Sequence, residues 1–518
     1  MNANKLKRVS QARHVRKALS LTTALLLAQT MVSGCVAAQS QSVAAVTPAA
    51  SHQAQQPNVI IILTDDQGYS DVGFNGSKDI PTPNIDRIAH EGARFDRGYV
   101  TFPVCGPSRA GLLTGRYQDR FGFLLNPSEN PDDPHAGLPL SEETMGQVVK
   151  PAGYDTMAIG KWHMGSVTGY RPLQRGFDEF YGFLNGGHNY YAEKFHDVDP
   201  TKVKGDGELY ATRLLRNDTK VDAKGYMTDI LSAEAVDYID REHTKKKPFF
   251  LYLAYNAPHA PIAAPPKYTD RFPNVTDPQR KIYDGMVSAV DDGVGTILDK
   301  LDQLGIADNT IVFFLSDNGG PLVRAKNGSI NLPLRGGKGD MFEGGVRVPF
   351  AVRWPAQIPA GIDYPHAVSS MDILATVVGV NHIDMTGKNP LDGVNLVPYL
   401  QDKTFASVPH DALFWRYHSN DAHSDTYVQQ AVTSGDAKFV QRQNNKMLFD
   451  LKSDKGEQHN LIATDTKDDE KLEAMSKTWN SQMKGLSISI FNEWPVGSHE
   501  YDDTKTEQNF HDKPRVAE

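Results

Sequence analysis

The chain has 518 residues, of which 39% are hydrophobic and 23% are charged, and this composition is close to that of soluble globular domains. The length exceeds one ordinary domain and predicts one large core with a smaller second unit. The formal net charge of -9, with no long basic run beyond the N-terminal segment, argues against a nucleic-acid partner.

Residues 1–35 have the features of an export signal. Residues 1–17 carry six lysines and arginines and no acid, and residues 18–31 form an apolar stretch too short to span a bilayer. The next four residues, VSGC, are similar to the bacterial lipoprotein box, which predicts that Cys35 carries lipid and anchors the mature protein in a membrane. The residue after the predicted lipidated cysteine is Val36 rather than an aspartate, and this favours the outer membrane as the location of the lipoprotein. Cleavage after Ala37 or Ala38, which would release a soluble periplasmic protein, is the alternative.

The rest of the chain divides by composition into four segments. Residues 36–56 are small and polar and predict a flexible tether. Residues 57–400 alternate β-branched runs with helical patterns, which predicts a large α/β domain. Residues 401–498 predict an α+β subdomain, with a small antiparallel sheet and an amphipathic helix over residues 469–484. Residues 499–518 are charged and poor in apolar residues, and predict a loose tail.

Four apolar runs of the large domain are each followed by polar side chains. The runs cover residues 58–63, 154–160, 248–255 and 310–316, and continuous apolar runs are typical of buried parallel strands. Because ligands bind at the carboxyl ends of such strands, we expect one site at this edge of the sheet. The side chains delivered there are Asp65, Asp66, Lys161, His163, His259, Asp317 and Asn318.

The acidic residues at this edge predict a metal site. Asp65, Asp66, Asp317 and Asn318 offer oxygen ligands from two strand ends, and a set without several histidines or cysteines suits Ca²⁺ or Mg²⁺ rather than zinc. The alternative is that these residues only cap turns, as aspartate and asparagine commonly do after strands.

Cys105 has no other cysteine to pair with once Cys35 is lipidated or removed. Pro107 fits the first turn of a helix, so Cys105 is predicted at a helix N-terminus, where free N–H groups favour anions. Residues alone leave two alternatives open, a buried structural cysteine or a thiolate nucleophile with a lowered pKa.

The motifs of this chain resemble those of the type I sulfatases, the formylglycine-dependent branch of the alkaline phosphatase superfamily. CGPSRAGLLTGR, beginning at Cys105, and GYDTMAIGKWH, ending at His163, are similar to the two signatures of that family. Further similar segments follow in family order and are TDDQG, APHAP, SDNGG, RGGKGDMFEGGVRVP and LFDLKSDKGEQHNLI.

The resemblance implies a fold, a cofactor and a reaction. The fold is a large mixed, mostly parallel sheet sandwiched by helices, with a smaller C-terminal antiparallel sheet. A maturation enzyme would oxidise Cys105 to formylglycine, and one Ca²⁺, or less expectedly Mg²⁺, would be held by Asp65, Asp66, Asp317, Asn318 and residue 105. The product would be sulfate, released from a sulfate ester.

The resemblance also implies roles for single residues. Arg109, Lys161 and Lys338 would bind the sulfuryl oxygens. His259, together with Lys338, would protonate the leaving alcohol, and His163 would take a proton from the second hydroxyl of the hydrated aldehyde so that sulfate leaves.

The expected substrate is a sulfated polysaccharide or its oligosaccharides, of the carrageenan or ulvan type. The segments NGGHNYY (185–191) and FWRYHSN (414–420) mix histidine, arginine and aromatics that would stack on sugars, and His188 is the predicted substrate contact; packing in the core is the alternative. Two other functions remain open, a phosphonate or phosphate ester hydrolase of the same superfamily and a non-catalytic glycan-binding lipoprotein.

Overall fold

The structure is a computed structural model that describes residues 56–129, 133–198, 206–322, 327–418 and 427–488. The predicted lipidation site Cys35, almost all of the predicted tether and the predicted tail lie outside these residues. Within the described part of the chain, no helix is both long enough and apolar enough to cross a membrane.

Sixteen strands are found in the described residues. They are β1 Asn58–Thr64, β2 Ala93–Phe95, β3 Gly98–Tyr99, β4 Asp155–Lys161, β5 Glu179–Phe183, β6 Leu214–Arg216, β7 Thr219–Val221, β8 Phe249–Ala254, β9 Thr310–Ser316, β10 Phe350–Arg353, β11 Ile362–Tyr364, β12 Val368–Ser369, β13 Leu413–His418, β14 Tyr427–Ser434, β15 Ala437–Arg442 and β16 Asn445–Asp450.

Eleven α-helices accompany these strands. They are α1 Pro83–His90, α2 Cys105–Thr114, α3 Met145–Val149, α4 Asp206–Leu209, α5 Met227–Lys245, α6 Pro266–Thr269, α7 Pro278–Gln303, α8 Glu343–Val346, α9 Asp372–Val380, α10 Val397–Gln401 and α11 Thr466–Asn480.

Ten strands form one mixed sheet in the order β11-β2-β10-β9-β1-β8-β4-β5-β6-β7. Strands β9, β1, β8, β4 and β5 pair in parallel, whereas β10, β6 and β7 pair antiparallel with their neighbours. Strands β13 to β16 form a separate antiparallel sheet. The predicted fold, a large mostly parallel sheet with helices and a small antiparallel sheet, is confirmed.

The four predicted apolar runs form the four adjacent strands β9, β1, β8 and β4. Their register is continuous, since Leu63 of β1 pairs with Leu315 of β9 on one side and with Ala254 of β8 on the other, and Ala254 pairs in turn with Gly160 of β4. The carboxyl ends of these strands therefore meet at one edge of the sheet, as parallel pairing requires.

Both faces of this sheet are buried, and β1 shows why its sequence is a continuous apolar run. Val59, Ile61 and Leu63 pack into the core on one face. Ile60 and Ile62 pack into the core on the other face, with side chains of α5 and α7. Alternate side chains of a strand point to opposite faces, so a sheet covered by helices on both sides needs apolar residues at every position.

The small sheet is also buried on both faces. One face packs Trp415 and Ala431 against Phe102 and Met341 of the large unit. The other face packs Val432, Phe439 and Leu448 against Leu472 of α11. Helix α11 begins three residues earlier than predicted because the side chain of Asp465 accepts the N–H of Asp468 and caps it.

Candidate active site

Asp65 and Asp317 lie side by side because they follow paired strands β1 and β9. In an extended strand Asp65 and Asp66 would point to opposite faces. Asp66 instead has φ 63°, in the left-handed region, which turns the chain immediately after β1. Its N–H then contacts Oδ1 of Asp317 at 3.3 Å. One strained residue therefore brings two consecutive carboxylates to the same cluster, and such strain is typical of functional sites.

Cys105 is the first residue of α2, as predicted, and it faces this cluster. Its Sγ lies 3.5 Å from Oδ1 of Asp65 and 4.0 Å from Oδ1 of Asp66. Lys338 Nζ lies 3.2 Å from the same sulfur. The helix has no side-chain cap of its own, but Asn126 accepts the N–H of Gly106 at 3.0 Å.

Three cations neutralise the three carboxylates. Lys161 Nζ lies 2.6 Å from Oδ2 of Asp65, and Lys338 Nζ lies 2.7 Å from Oδ1 of Asp66. Arg109 donates to Oδ2 of Asp317 from Nε at 2.9 Å and from a terminal nitrogen at 2.7 Å. Gly160 (φ 93°) bends β4 just before Lys161, where a Cβ atom would lie 1.9 Å from the carbonyl oxygen of Ala254.

The donor set fits a hard metal ion. Ligand atoms of Asp65, Asp66, Cys105 and His259 lie within 4.8 Å of one another. Next to them, the amide of Asn318 donates to Oδ1 of Asp66 at 2.8 Å, while its own Oδ1 is buried without a hydrogen-bond partner among the described residues. An unpaired buried oxygen beside carboxylates is what Ca²⁺ or Mg²⁺ would satisfy.

Burial alone would raise the pKa of Asp66, but Lys338 and His259 more than offset this effect, so its pKa is lowered below the ordinary value. Burial and the repulsion of Asp65 raise the pKa of Asp317. The pKa of Lys338 is raised well above its ordinary value because Asp66 outweighs the effect of burial. The lysine therefore stays charged at neutral pH.

The thiol of Cys105 is a poor nucleophile as it stands. Burial, and then the charge of Asp317, raise its pKa to about 12 in spite of Lys161 and Lys338. The reactive species of cysteine is the thiolate, which a thiol with this pKa does not form at neutral pH. The alternative of a thiolate nucleophile is therefore disfavoured.

His163 is a buried histidine close to the cluster. It follows β4 with φ 58°, is 5% exposed, and its Nδ1 has no hydrogen-bond partner among the described residues. Burial and the charges of Lys161 and Arg109 lower its pKa well below the ordinary value. A Cβ atom at Gly186 would lie 2.9 Å from its Nε2, so glycine there leaves room for the ring.

His259 lies on the open side of the cluster. Its Nδ1 donates to the carbonyl oxygen of Ala260 at 2.5 Å, because only a protonated nitrogen pairs with a carbonyl, and its Nε2 lies 3.6 Å from Oδ2 of Asp66. The side chains of His259 and Lys338 are 13% and 18% exposed, whereas those of Asp65, Arg109 and Lys161 are fully buried. A ligand therefore reaches the cluster past His259 and Lys338.

His188 does not lie at this surface, which contradicts the prediction that it contacts substrate. The residue is fully buried, and its ring nitrogens contact the carbonyl oxygens of Asn189 at 3.0 Å and Thr212 at 2.7 Å. The ring packs between Phe183 and Phe195. Both ring nitrogens face main-chain carbonyl groups inside the protein, so His188 is a core residue.

The aromatic side chains described in the two predicted sugar-binding segments also pack internally. Phe414 stacks on Trp479 of α11 with ring centroids 5.2 Å apart, and Trp415 packs on Tyr99 at 5.3 Å. Tyr190 is 1% exposed. Of the two interpretations, core packing is correct for these residues.

Sequence reasoning missed Asn126, which caps α2, and Gln429 of β14, which contacts the segment that carries Lys338. Neither residue belongs to a recognisable motif. Both act across long sequence separations, and only the tertiary fold shows their contacts.

Comparison with known proteins identifies the family of the chain. The sulfatase family model matches residues 57–383. The model for the C-terminal part of N-sulphoglucosamine sulphohydrolase matches residues 337–486. N-acetylgalactosamine-6-sulfatase of Mus musculus is 37% identical over 352 residues, which is 66% of this chain and 66% of that protein. The uncharacterized sulfatase YdeN of Escherichia coli (strain K12) is 32% identical over 424 residues, covering 71% of this chain and 70% of that protein.

A similar solved structure is that of Ps i-CgsB in complex with k-i-k-neocarrahexaose. It superposes with a TM-score of 0.76 at 37% identity, over 88% of this chain and 98% of that chain. The phosphonate monoester hydrolase of Agrobacterium radiobacter has a TM-score of 0.57 at 20% identity and shares only the fold. Because the family model covers more than half of the sequence, the chain belongs to the sulfatase family.

Proposed function

We propose that this protein hydrolyses sulfate esters of a sulfated galactan of the carrageenan type, with residue 105 in its formylglycine form and one Ca²⁺ in the acidic cluster. The observation that carries the proposal is the position of Cys105 Sγ, 3.5 Å from Asp65 and 3.2 Å from Lys338 Nζ, inside a buried set of balanced charges. A thiol held neutral at such a position does no chemistry as a thiol, so its conversion accounts for its place in the site.

Formylglycine would supply a hydrated aldehyde whose hydroxyl attacks sulfur, and Ca²⁺ held by Asp65, Asp66, Asp317 and Asn318 would supply Lewis-acid stabilisation of charge. The positively charged side chains of the site favour binding of the anionic sulfate group. A sulfate ester is itself negative and repels a nucleophile until this charge is neutralised. Arg109, Lys161 and Lys338 surround the cluster, so they bind the sulfuryl oxygens and stabilise the charge that develops there.

Two histidines would each transfer a proton, in two different steps of the reaction. His163 is neutral and its Nδ1 is unpaired among the described residues, so it can accept a proton from a hydroxyl of the hydrated aldehyde. His259, on the open side, donates a proton to the leaving alcohol.

Burial and the charges of the two lysines lower the pKa of His259 to about 3, although Asp66 opposes them. A bound sulfate ester adds negative charge beside the ring and favours the protonated form. Lys338, whose pKa is raised, can share this role.

Two relatives support a galacto-configured sulfated sugar as substrate. The neighbouring solved structure holds a neocarrahexaose, and a curated relative is named for N-acetylgalactosamine-6-sulfate. Both names refer to sugars of the galactose series. We therefore place carrageenan oligosaccharides ahead of ulvan and of glucosamine-based glycans.

A sulfate-release assay tests the proposal. Wild-type protein produced with a formylglycine-generating maturation enzyme is expected to release sulfate from carrageenan oligosaccharides faster than from matched ulvan and glucosamine sulfates. Arg109→Met serves as the inactive control. Faster hydrolysis of a matched aryl phosphate diester or phosphonate than of the aryl sulfate would assign the protein to phosphorus esters, and binding of glycan without turnover would assign it to the glycan-binding lipoproteins.

We also propose that Cys35 is lipidated and that the protein is exported to the periplasm or outer membrane, where a polymer substrate is accessible. The proposal rests on the sequence of residues 1–35. Membrane fractionation with mass analysis of the native N-terminus is the test, and a soluble species that begins after Cys35 would contradict the anchor.

A further inference from the structure

We propose that Gln429 of the C-terminal sheet is a positioning residue for catalysis, because it holds the segment that carries Lys338 (residues 335–342, here the Lys338 loop). The inference rests on the proposed sulfatase activity and assigns a task to the small sheet. It concerns a side chain that does not touch the reacting atoms.

Gln429 contacts the Lys338 loop at two main-chain atoms on the C-terminal side of the lysine. Its Nε2 donates to the carbonyl oxygen of Gly339 at 3.2 Å, and its Oε1 accepts the N–H of Met341 at 3.3 Å. A side-chain amide that donates and accepts at once fixes both the position and the direction of a loop.

The Lys338 loop needs such support because it contains three glycines within residues 335–342. Gly336 and Gly339 both have positive φ, 76° and 91°, so they cannot be stiffened by ordinary side chains without strain. Main-chain contacts also hold the loop, with the N–H of Lys338 donating to Gly320 at 3.1 Å and that of Gly339 donating to Pro103 at 2.9 Å. On the N-terminal side of the lysine, the side chain of Asp340 accepts the N–H of Gly337 at 3.0 Å, and the side chain of Asn331 donates to the carbonyl oxygen of Gly336 at 3.2 Å.

The contact to Pro103 joins the Lys338 loop to the segment that enters α2. The same strand pair reaches that segment directly, since Tyr417 is the cross-strand partner of Gln429 and stacks on Phe102 with centroids 5.3 Å apart. One cross-strand pair of the small sheet therefore contacts both segments that deliver Lys338 and residue 105 to the site.

The next residue of the strand provides a matched control. Gln430 points to the opposite face, where its Nε2 donates to Gln441 at 2.7 Å and its Oε1 accepts from Asn480 of α11 at 2.7 Å. These hydrogen bonds are shorter than those of Gln429. If both residues had only a structural role, loss of Gln430 would lower both stability and activity more than loss of Gln429.

The experiment compares Gln429→Met with Gln430→Met, because methionine keeps most of the volume and removes both hydrogen-bonding groups. We expect Gln429→Met to lower kcat/KM about tenfold, the scale of one or two neutral hydrogen bonds, with little change in Tm. We expect Gln430→Met to lower Tm and to leave kcat/KM unchanged. Wild-type kcat/KM in Gln429→Met would overturn the inference.

Two further measurements separate positioning from general damage. In a Lys338→Ala background, Gln429→Met is expected to have no further effect on kcat/KM, whereas an additive loss would show that it does not act through the lysine. Amide hydrogen exchange of a peptide covering residues 335–342 is expected to be faster in Gln429→Met and unchanged in Gln430→Met. This readout needs no turnover, so unchanged exchange overturns the inference, while absence of sulfate release by the wild type overturns only the proposed function.

Discussion

Two clusters of buried charges in this protein differ in whether a ligand can reach them from solvent. The site cluster consists of Asp65, Asp66 and Asp317 with Arg109, Lys161 and Lys338. The Lys438 cluster consists of Glu343, Arg347, Lys438 and Glu457. Both combine carboxylates with cations in nearly equal number.

The Lys438 cluster is closed. Lys438 Nζ lies 2.8 Å from Glu343 and 3.1 Å from Glu457, and none of these three side chains is exposed. The site cluster, in contrast, lies beside Oδ1 of Asn318, which has no hydrogen-bond partner in the part of the chain that the structure describes, and it opens to solvent past Lys338. Two clusters with balanced charge can therefore have different roles. A cluster that opens to solvent can bind a ligand, whereas an enclosed cluster can only stabilise the fold. Substitutions in the site cluster are therefore expected to change activity, and substitutions in the Lys438 cluster are expected to change stability.

Cys105→Ser is expected to give the largest effect. A serine that remains a serine can attack once but has no second hydroxyl with which to expel sulfate, so turnover should fall by several orders of magnitude, as for other nucleophiles that act as part of a unit. The folded state and Tm should be retained, because serine fits the volume of cysteine. Multiple turnovers by a verified serine variant would contradict this mechanism.

Asp317→Asn is expected to lower kcat/KM by about 10³-fold or more. The change removes a predicted metal ligand and the carboxylate that orients Arg109, and loss of one preorganised charge contact at a transition state typically costs about 10²- to 10³-fold. Exhaustive chelation should abolish wild-type activity, and Ca²⁺ should restore it. Activity that survives both treatments would mean that the acidic cluster holds no required metal.

Lys438→Met tests the second cluster by stability. Removal of the lysine that contacts both Glu343 and Glu457 leaves buried carboxylates without this partner, and breaking a buried ion pair typically costs about 3 to 5 kcal/mol. Urea unfolding monitored by circular dichroism measures the loss. Lys446→Met on the neighbouring strand is the control for the same substitution, at a partly exposed lysine that pairs with Glu473. An unchanged free energy of unfolding would show that the enclosed cluster does not stabilise the fold.

Glu457 is expected to make the stability of the Lys438 cluster fall as the pH rises, whereas the carboxylate of an ordinary salt bridge loses its contribution as the pH falls. Burial, and the repulsion of Glu343, raise the pKa of Glu457 to about 7, against an ordinary value of 4.5. A carboxyl whose pKa is raised on folding binds more protons in the folded state, so its stabilising contribution is present below about pH 4.5 and is lost as the pH rises through 7.

Glu457→Gln removes this titration. The free energy of unfolding of the variant relative to the wild type is therefore expected to increase from pH 5 to pH 8, by up to about 3 kcal/mol. Unfolding curves at both pH values measure the difference, and a constant difference would show that Glu457 titrates as an ordinary carboxyl.

The sequence predicted the site cluster far better than the Lys438 cluster. The acids of the first follow strands, and apolar runs with polar ends are a local pattern, so strand positions and their common edge could be inferred before any coordinates. Lys438 and Glu457, in contrast, lie in a strand and a loop with no pattern that marks them as partners of Glu343.

The errors have the same origin. The segment of His188 is rich in polar and aromatic residues, and this composition predicted a substrate contact. The carbonyl groups that contact its ring nitrogens belong to Asn189 and to Thr212, which lies 24 residues away. Gln429 was missed because its two partners are main-chain atoms about ninety residues away. Contacts of a side chain with a remote main chain leave no mark in the sequence.

The identity of residue 105 in active protein tests the central claim most directly. Mass analysis of a peptide covering residues 102–116, taken from enzyme whose sulfate release has been measured, reports the side chain itself. The account predicts a peptide lighter than the cysteine form by one sulfur and two hydrogens, offset by one oxygen, in proportion to the measured activity. Full activity from protein that carries only the unmodified thiol would contradict it.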